Sequence, residues 1–192
     1  LENGAVGIFL RGAELSMQVD NPYFFRLYKL AEELDMPICF HAATGSFDLY
    51  EVYRNGGLAR GKLPVVAVCS QLLQSEIPAM FPKLRWGIIE VTAQWVPYIL
   101  NDMELRFERL GKRLSPTALA DNNIFVACQV TDDISYVIDY AGEDQIVVGT
   151  DYGHGDTSTE IEAVRRLKEE GKVTAAVADK ILYDNAKALY GI

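Results

Sequence analysis

Histidine is scarce: the 192 residues include only two, His41 and His154, alongside two tryptophans and three cysteines. Catalytic zinc sites use about three protein ligands, so imidazoles alone cannot furnish one from this chain. Positive charge is also short, with 18 Lys and Arg against 27 Asp and Glu, a formal net charge of -9. Nucleic acids and anionic membrane surfaces both demand basic patches, so this balance speaks against either partner and favours a small-molecule substrate. The three cysteines, Cys39, Cys69 and Cys128, are odd in number, widely spaced and set among apolar neighbours. Buried reduced thiols are expected rather than a disulfide framework. No apolar run approaches the ~20 residues of a membrane span, and no signal-peptide pattern opens the chain. A cytoplasmic location is the default expectation.

What the chain does have is ordinary globular composition, 49% hydrophobic and 23% charged, enough to bury one substantial core. Short apolar runs alternate with segments of helical periodicity. Ala5 to Leu10 reads as a first strand. Asp20-Asn21-Pro22 then supplies a cap and an N-terminal proline for a helix whose stripe runs from Phe24 to Leu34. A second strand closes at His41 and leads into the small-residue loop Ala42-Ala43-Thr44-Gly45. Helices are expected around Phe47 to Tyr53 and Val65 to Met80, and a third strand over Leu84 to Glu90. A helix from about Trp95 to Leu110 precedes a fourth strand, Asn123 to Gln129, and a short helix opened by Asp132-Asp133 that stops at Gly142. The fifth strand ends at Asp151. Helices from about Thr159 to Glu170 and Val173 to Leu189 complete the chain.

Continuous apolar strands are buried on both faces, as in parallel sheets, and strand-helix alternation agrees. A single α/β domain over residues 1–192 is the simplest reading. Five such units are too few to close an eight-stranded barrel, which takes ~250 residues, so an open five-stranded sheet stays in view.

His41, Glu90 and Asp151 each stand at the C-terminal end of a strand, the edge where α/β enzymes keep metal ligands and acid-base groups. Alternation along a strand places His41 with Cys39, Glu90 with Ile88 and Trp86, and Asp151 with Gly149 and Val147. His plus Asp suits a borderline divalent ion such as zinc, which lowers the pKa of bound water toward neutrality. Competing roles stand beside these: a hydrogen-bonded core histidine for His41, and a helix or turn cap for Asp151. Glu90 is read as a general base, a substrate contact or an ion-pair partner. His154, in the Gly-flanked loop Tyr152-Gly153-His154-Gly155, faces either the same site or solvent.

These stretches resemble the amidohydrolase-related family typified by aminocarboxymuconate-semialdehyde decarboxylase. The matching segments are Asn21-Pro22-Tyr23 with Leu34 through His41, Phe81-Pro82-Lys83-Leu84-Arg85 through Glu90 to Trp95-Val96-Pro97-Tyr98, Ile146 through His154, and Ile181 through Gly191. The resemblance implies a TIM-barrel-like (β/α)8 metal-dependent hydrolase fold of which this chain supplies strands four through eight with their helices. It implies that His41 and Asp151 are metal ligands, with Asp151 also handling a proton. Glu90 takes the place of a family histidine after the sixth strand and is read as catalytic or substrate-binding, with Trp95 and His154 as further substrate contacts. The family's His-x-His pair has no counterpart here, and the chain is read as N-terminally incomplete.

The expected activity is that of a metal-dependent hydrolase or non-oxidative decarboxylase acting on a small carboxylated or cyclic substrate, with zinc as cofactor. The competing expectation is a catalytically empty α/β domain kept for assembly. Open strand edges and an apolar inner face lead to a further expectation, association into homo-oligomers.

Overall fold

The computed structural model describes residues 4–129, 131–151, 153–154 and 166–192. Five strands form a single parallel sheet in the order β1-β2-β3-β4-β5: Ile8–Arg11, Ile38–His41, Trp86–Ile89, Ile124–Cys128 and Ile146–Val148. Each strand pairs with the next in sequence. The register sets Arg11 opposite His41, His41 opposite Ile89, Ile88 opposite Val126 and Cys128 opposite Val148. A sequential order is that of a β/α barrel wall, whereas a doubly wound sheet reverses its order partway and carries helices on both faces. The two sequence readings thus meet: the sheet is open and five-stranded, and its winding is that of a barrel.

The local signals explain most of the helices. The Asn21 side chain accepts from the Tyr23 amide and Pro22 opens a 3-10 turn, after which α1 runs from Phe25 to Glu33. Ser46 caps α2 (Phe47–Val52). The segment expected as one helix from Val65 to Met80 is two, α3 (Leu63–Gln74) and α4 (Ile77–Met80). Pro78 stands in the first turn of α4, and a proline further into a helix would break it. A π-helical turn, Leu58–Lys62, leads into α3. Then follow α5 (Val96–Arg109), α6 (Ala118–Asp121) and α7 (Ile134–Ala141). Asp133 caps α7 by accepting from the Tyr136 amide, and Gly142 ends it at φ +81°. The helix expected from about Thr159 lies largely outside the described residues, with 166–169 helical. The final helix divides into α8 (Ala175–Asp179), a π-helical turn (Lys180–Asp184) and α9 (Asn185–Tyr190).

Two apolar layers hold this wall. On the helix side, Ile38, Phe40, Trp86, Ile88, Ile124, Val126 and Ile146 pack with Tyr28, Leu72, Met103, Val137 and Ile181 in one continuous core. Tyr28 is fully buried there and donates its hydroxyl to the Val19 carbonyl at 2.9 Å, so its polar end is satisfied. On the opposite face, Phe125, Ala127 and Val147 form a smaller cluster with Leu189, joined by Ile89 and Tyr190. α9 is thus laid against the inner face of the sheet. Gly87 makes room for it, since a Cβ there would stand 2.9 Å from Cys39 Sγ and 3.5 Å from the Leu189 side chain. Arg85 fastens the same helix, donating from Nε to the Leu189 carbonyl at 2.7 Å while pairing with Asp35 at 2.7 Å. Asn185 adds bonds to the Glu143 and Ile146 carbonyls at the base of β5.

All three cysteines are free and buried. Burial pushes the thiols up, Cys39 to about 11 and Cys69 and Cys128 to about 12, so all stay protonated and inert. Among the described residues no helix is long and apolar enough to cross a membrane.

Candidate metal and substrate site

β2 is buried for three of its four residues and delivers His41, half-buried, to the C-terminal edge of the sheet. Its Nδ1 lies 3.0 Å from the Ala42 carbonyl. A carbonyl only accepts, so Nδ1 carries a proton and Nε2 is the ring nitrogen turned to the mouth. Histidines that bind metals are oriented in this way, by a backbone carbonyl on the other ring nitrogen. Nε2 meets the Glu90 carboxylate through Oε2. Unprotonated, both atoms would only accept, so a proton or a cation belongs between them.

The position of Glu90 corrects the alternation argument, which put it on the side of Trp86 and Ile88. Those two residues point into the helix-side core. β3 ends at Ile89, and Glu90 takes the left-handed conformation at φ +61°, which redirects its side chain toward His41. Thr92 is left-handed too, at φ +60°. Such conformations cost a non-glycine residue on the order of 1–3 kcal/mol and persist where the surroundings enforce them. Enforcement comes from a clamp that sequence reading missed. Asp132, largely buried, accepts from the Ala93 amide at 2.8 Å and the Gln129 amide at 2.7 Å, and Gln94 Oε1 accepts from the Asp133 amide at 2.8 Å. The loops after β3 and β4 are thereby tied together. Burial raises the Asp132 carboxyl above its usual range, opposed by the amides that donate to it. Asp132 carried one sequence signal, its place at the opening of α7, which Asp133 alone caps.

Trp95 is also taken up by this clamp. Its indole donates to the Thr92 carbonyl at 2.8 Å and its ring packs partly buried against the helix-side core, away from the pocket below.

Asp151 lies three residues beyond the end of β5, at φ +49°. The Gly149 amide donates to the Cys128 carbonyl at 3.0 Å, so pairing with β4 continues past the strand and carries Asp151 to the mouth. Asp151 Oδ1 stands 3.0 Å from His154 Nδ1, and the His154 amide donates to the Asp151 carbonyl at 3.2 Å. Tyr152 lies outside the described residues.

These groups converge. Glu90, Asp151 and His154 each offer a ligand atom, and the three atoms lie within 4.8 Å of one another. His41 reaches the group through Glu90. His41, Glu90 and Asp151 share the lining of a pocket of about 210 Å³, walled by Ile89, Ala127, Gln129 and Val147 and floored by Ala186 and Tyr190. Two carboxylates and the His41 imidazole on one pocket, with His154 beside Asp151 at its rim, fit a divalent cation.

No protein-family sequence model and no curated protein matches the chain. Solved structures do. An amidohydrolase from Mycobacterium avium subsp. paratuberculosis K-10 superposes with a TM-score of 0.78 at 18% identity, over 99% of this chain and 52% of that one. The fold is that of the amidohydrolases. A dihydroxybenzoic acid decarboxylase from Polaromonas sp. JS666, with bound manganese and 2-nitroresorcinol, gives 0.72 at 16% identity over 99% of this chain and 62% of that one. The 4-oxalomesaconate hydratase of Rhodopseudomonas palustris gives 0.70 at 17% identity, over 99% and 56%. The chain therefore spans between about half and three fifths of the length of these structures.

Proposed function

We propose that this chain forms the larger part of an amidohydrolase-type active site, that of a metal-dependent hydrolase or non-oxidative decarboxylase acting on a small carboxylated or cyclic substrate. The observation that carries the reading is the convergence of Glu90, Asp151 and His154 within 4.8 Å on the edge that also holds His41. Four groups from three separate loops and strand ends reach one place, and two of them do so through left-handed backbone, a cost that structure alone does not require. Solved structures of the same fold include decarboxylases and a hydratase, which supports the reaction class without choosing within it.

His41 and Asp151, with Glu90 and His154 beside them, would hold a divalent ion, which would supply Lewis acidity toward a substrate oxygen and a lowered pKa for bound water. The residues themselves do the rest. Asp151 holds a proton at Oδ1, in hydrogen-bond reach of His154 Nδ1, and passes it toward or from the reacting carbon or leaving group. Glu90 accepts a proton at Oε2 or orients water against it. The apolar side chains Ile89, Ala127 and Val147 line the pocket on the sheet side of that exchange.

The test is binding of Mn²⁺, read by electron paramagnetic resonance and by calorimetry against Zn²⁺. A single site is expected in the wild-type chain. Asp151→Asn and Glu90→Gln should each weaken it about tenfold or more, as loss of one carboxylate from the ligand set requires. Absence of any stoichiometric site, or one indifferent to both substitutions, would overturn the reading.

A further inference from the structure

The segments that connect each strand end to the next helix carry almost no positive charge. Residues 12–21, 42–46, 90–95 and 129–133, and 149–151 after β5, contain no Lys or Arg, while Glu14, Asp20, Glu90, Asp132, Asp133 and Asp151 lie among them. Arg11, the last residue of β1, is the cation that the strand ends contribute to this edge, and it is in register with His41. An anionic substrate approaching an edge so rich in carboxylates meets that cation first.

Arg11 is available for the task. Among the described residues its guanidinium makes no hydrogen bond, and the nearest carboxylate oxygen, Glu14 Oε2, is 3.6 Å away. It lines a pocket of about 350 Å³ with Thr44, Ser46, Phe47 and Tyr50. Thr44 and Ser46 are buried, and their hydroxyls accept from the Ser46 and Leu49 amides. Each hydroxyl proton is left to donate. Phe47 and Tyr50 are exposed rings on the same wall, and the Arg60 guanidinium lies 4.6 Å over the Tyr50 ring as a second cation. The pocket's floor is built for close approach: β1 and β2 stay zipped beyond their ends through Gly45 N to the Ala13 carbonyl at 2.8 Å and Leu15 N to the Gly45 carbonyl at 3.2 Å. Gly45 leaves the side-chain ends of Glu14 and Arg11 their room, since a Cβ there would stand 2.4 Å from Glu14 Oε2 and 3.1 Å from the Arg11 guanidinium.

We infer that Arg11, with the Thr44 and Ser46 hydroxyls and the Phe47 and Tyr50 rings, forms a subsite for a carboxylate borne on a flat apolar body, beside the candidate metal ligands. A planar guanidinium with free N–H groups matches a carboxylate in two-pronged geometry, and hydroxyl donors and rings complete the recognition of such a molecule. The subsite rests on the proposed function for its biological meaning, but its binding chemistry is its own.

The probe is benzoate, titrated into the 192-residue chain by saturation-transfer NMR, with benzamide as the uncharged counterpart. Benzoate should bind in the millimolar range expected of a small fragment and benzamide at least tenfold more weakly. Arg11→Gln should cost about tenfold, Arg11→Lys less, and Tyr50→Ala a few-fold, while Glu14→Gln should tighten binding by removing the competing carboxylate. Chelation of metal should leave benzoate affinity unchanged. Benzoate binding that vanishes on chelation and ignores Arg11→Gln overturns the subsite and leaves the metal reading standing. Arg11-dependent binding in a chain with no Mn²⁺ site does the reverse. No benzoate binding, or binding indifferent to both Arg11 and metal, overturns the subsite.

Discussion

The two faces of the sheet are built to different standards. The helix-side face is filled by large, fully buried side chains, Trp86, Tyr28, Phe40 and Leu72 among them, each locked by neighbours from several helices. The inner face has four buried residues in its cluster, then a pocket edged by His41, Glu90 and Asp151. The first face pays in apolar area for the ordering of the chain. The second face spends part of that stability on left-handed backbone and on polar groups held close together. One side of a sheet therefore makes the fold, and the other is left free to do chemistry.

Substitution can break or sharpen this contrast. The largest loss is expected at Trp86→Ala, about 3–5 kcal/mol, from the cavity opened in the helix-side core, measured by urea unfolding. Leu189→Ala on the inner face should cost about 2–3 kcal/mol, toward the lower end of the range for such truncations, because its cavity opens toward the pocket. An equal or greater loss at Leu189 would erase the contrast. Next, Gly12→Ala should cost about 1–3 kcal/mol through overpacking, since its Cβ would lie 2.4 Å from backbone atoms of Pro64 and Val65 in α3. Gly45→Ala should cost less, because its nearest obstacle is the movable end of Glu14. The clamp offers a subtler measurement. Burial raises the Asp132 carboxyl in the folded chain, so over a window above the ordinary carboxylate range the folded state holds a proton that the unfolded state has released. Stability falls as pH rises through that window. Asp132→Asn should flatten that limb of the stability profile, and an unchanged slope would remove Asp132 as its source. Smallest of all, the three cysteines should react with a thiol reagent only as fast as the chain unfolds, with Cys39, Cys69 and Cys128 indistinguishable under native conditions.

Much of this architecture is written in the sequence, and the exceptions share a cause. All five strands and helices α1, α5 and α7 follow from apolar runs, caps and stop residues, all of which act within a few positions of where they stand. His41 and Asp151 were legible for the same reason, each closing an apolar run. Glu90 was legible as a strand-end carboxylate but not in its direction, because one left-handed residue cancels the period-two rule. Asp132 was invisible as a clamp, since its partners Ala93 and Gln129 come from two loops brought together only by the sheet. Arg11 stood one residue beyond the strand as expected from sequence, and only the register with β2 brings it beside His41. The single helix expected from Val173 to Leu189 carries no break signal strong enough to announce the π-helical turn inside it.

The strand order also bears on how the molecule assembles. Every strand pairs with its predecessor in the chain, so each strand-helix unit can dock as soon as it forms, with short loops to close and little to undo. α9 is different: its tie from Arg85 to Leu189 spans 104 positions. The inner face is thus covered last, by a helix that has to wait for all five strands, and a slow final phase seen only by probes at Leu189 or Tyr190 is the kinetic trace it should leave.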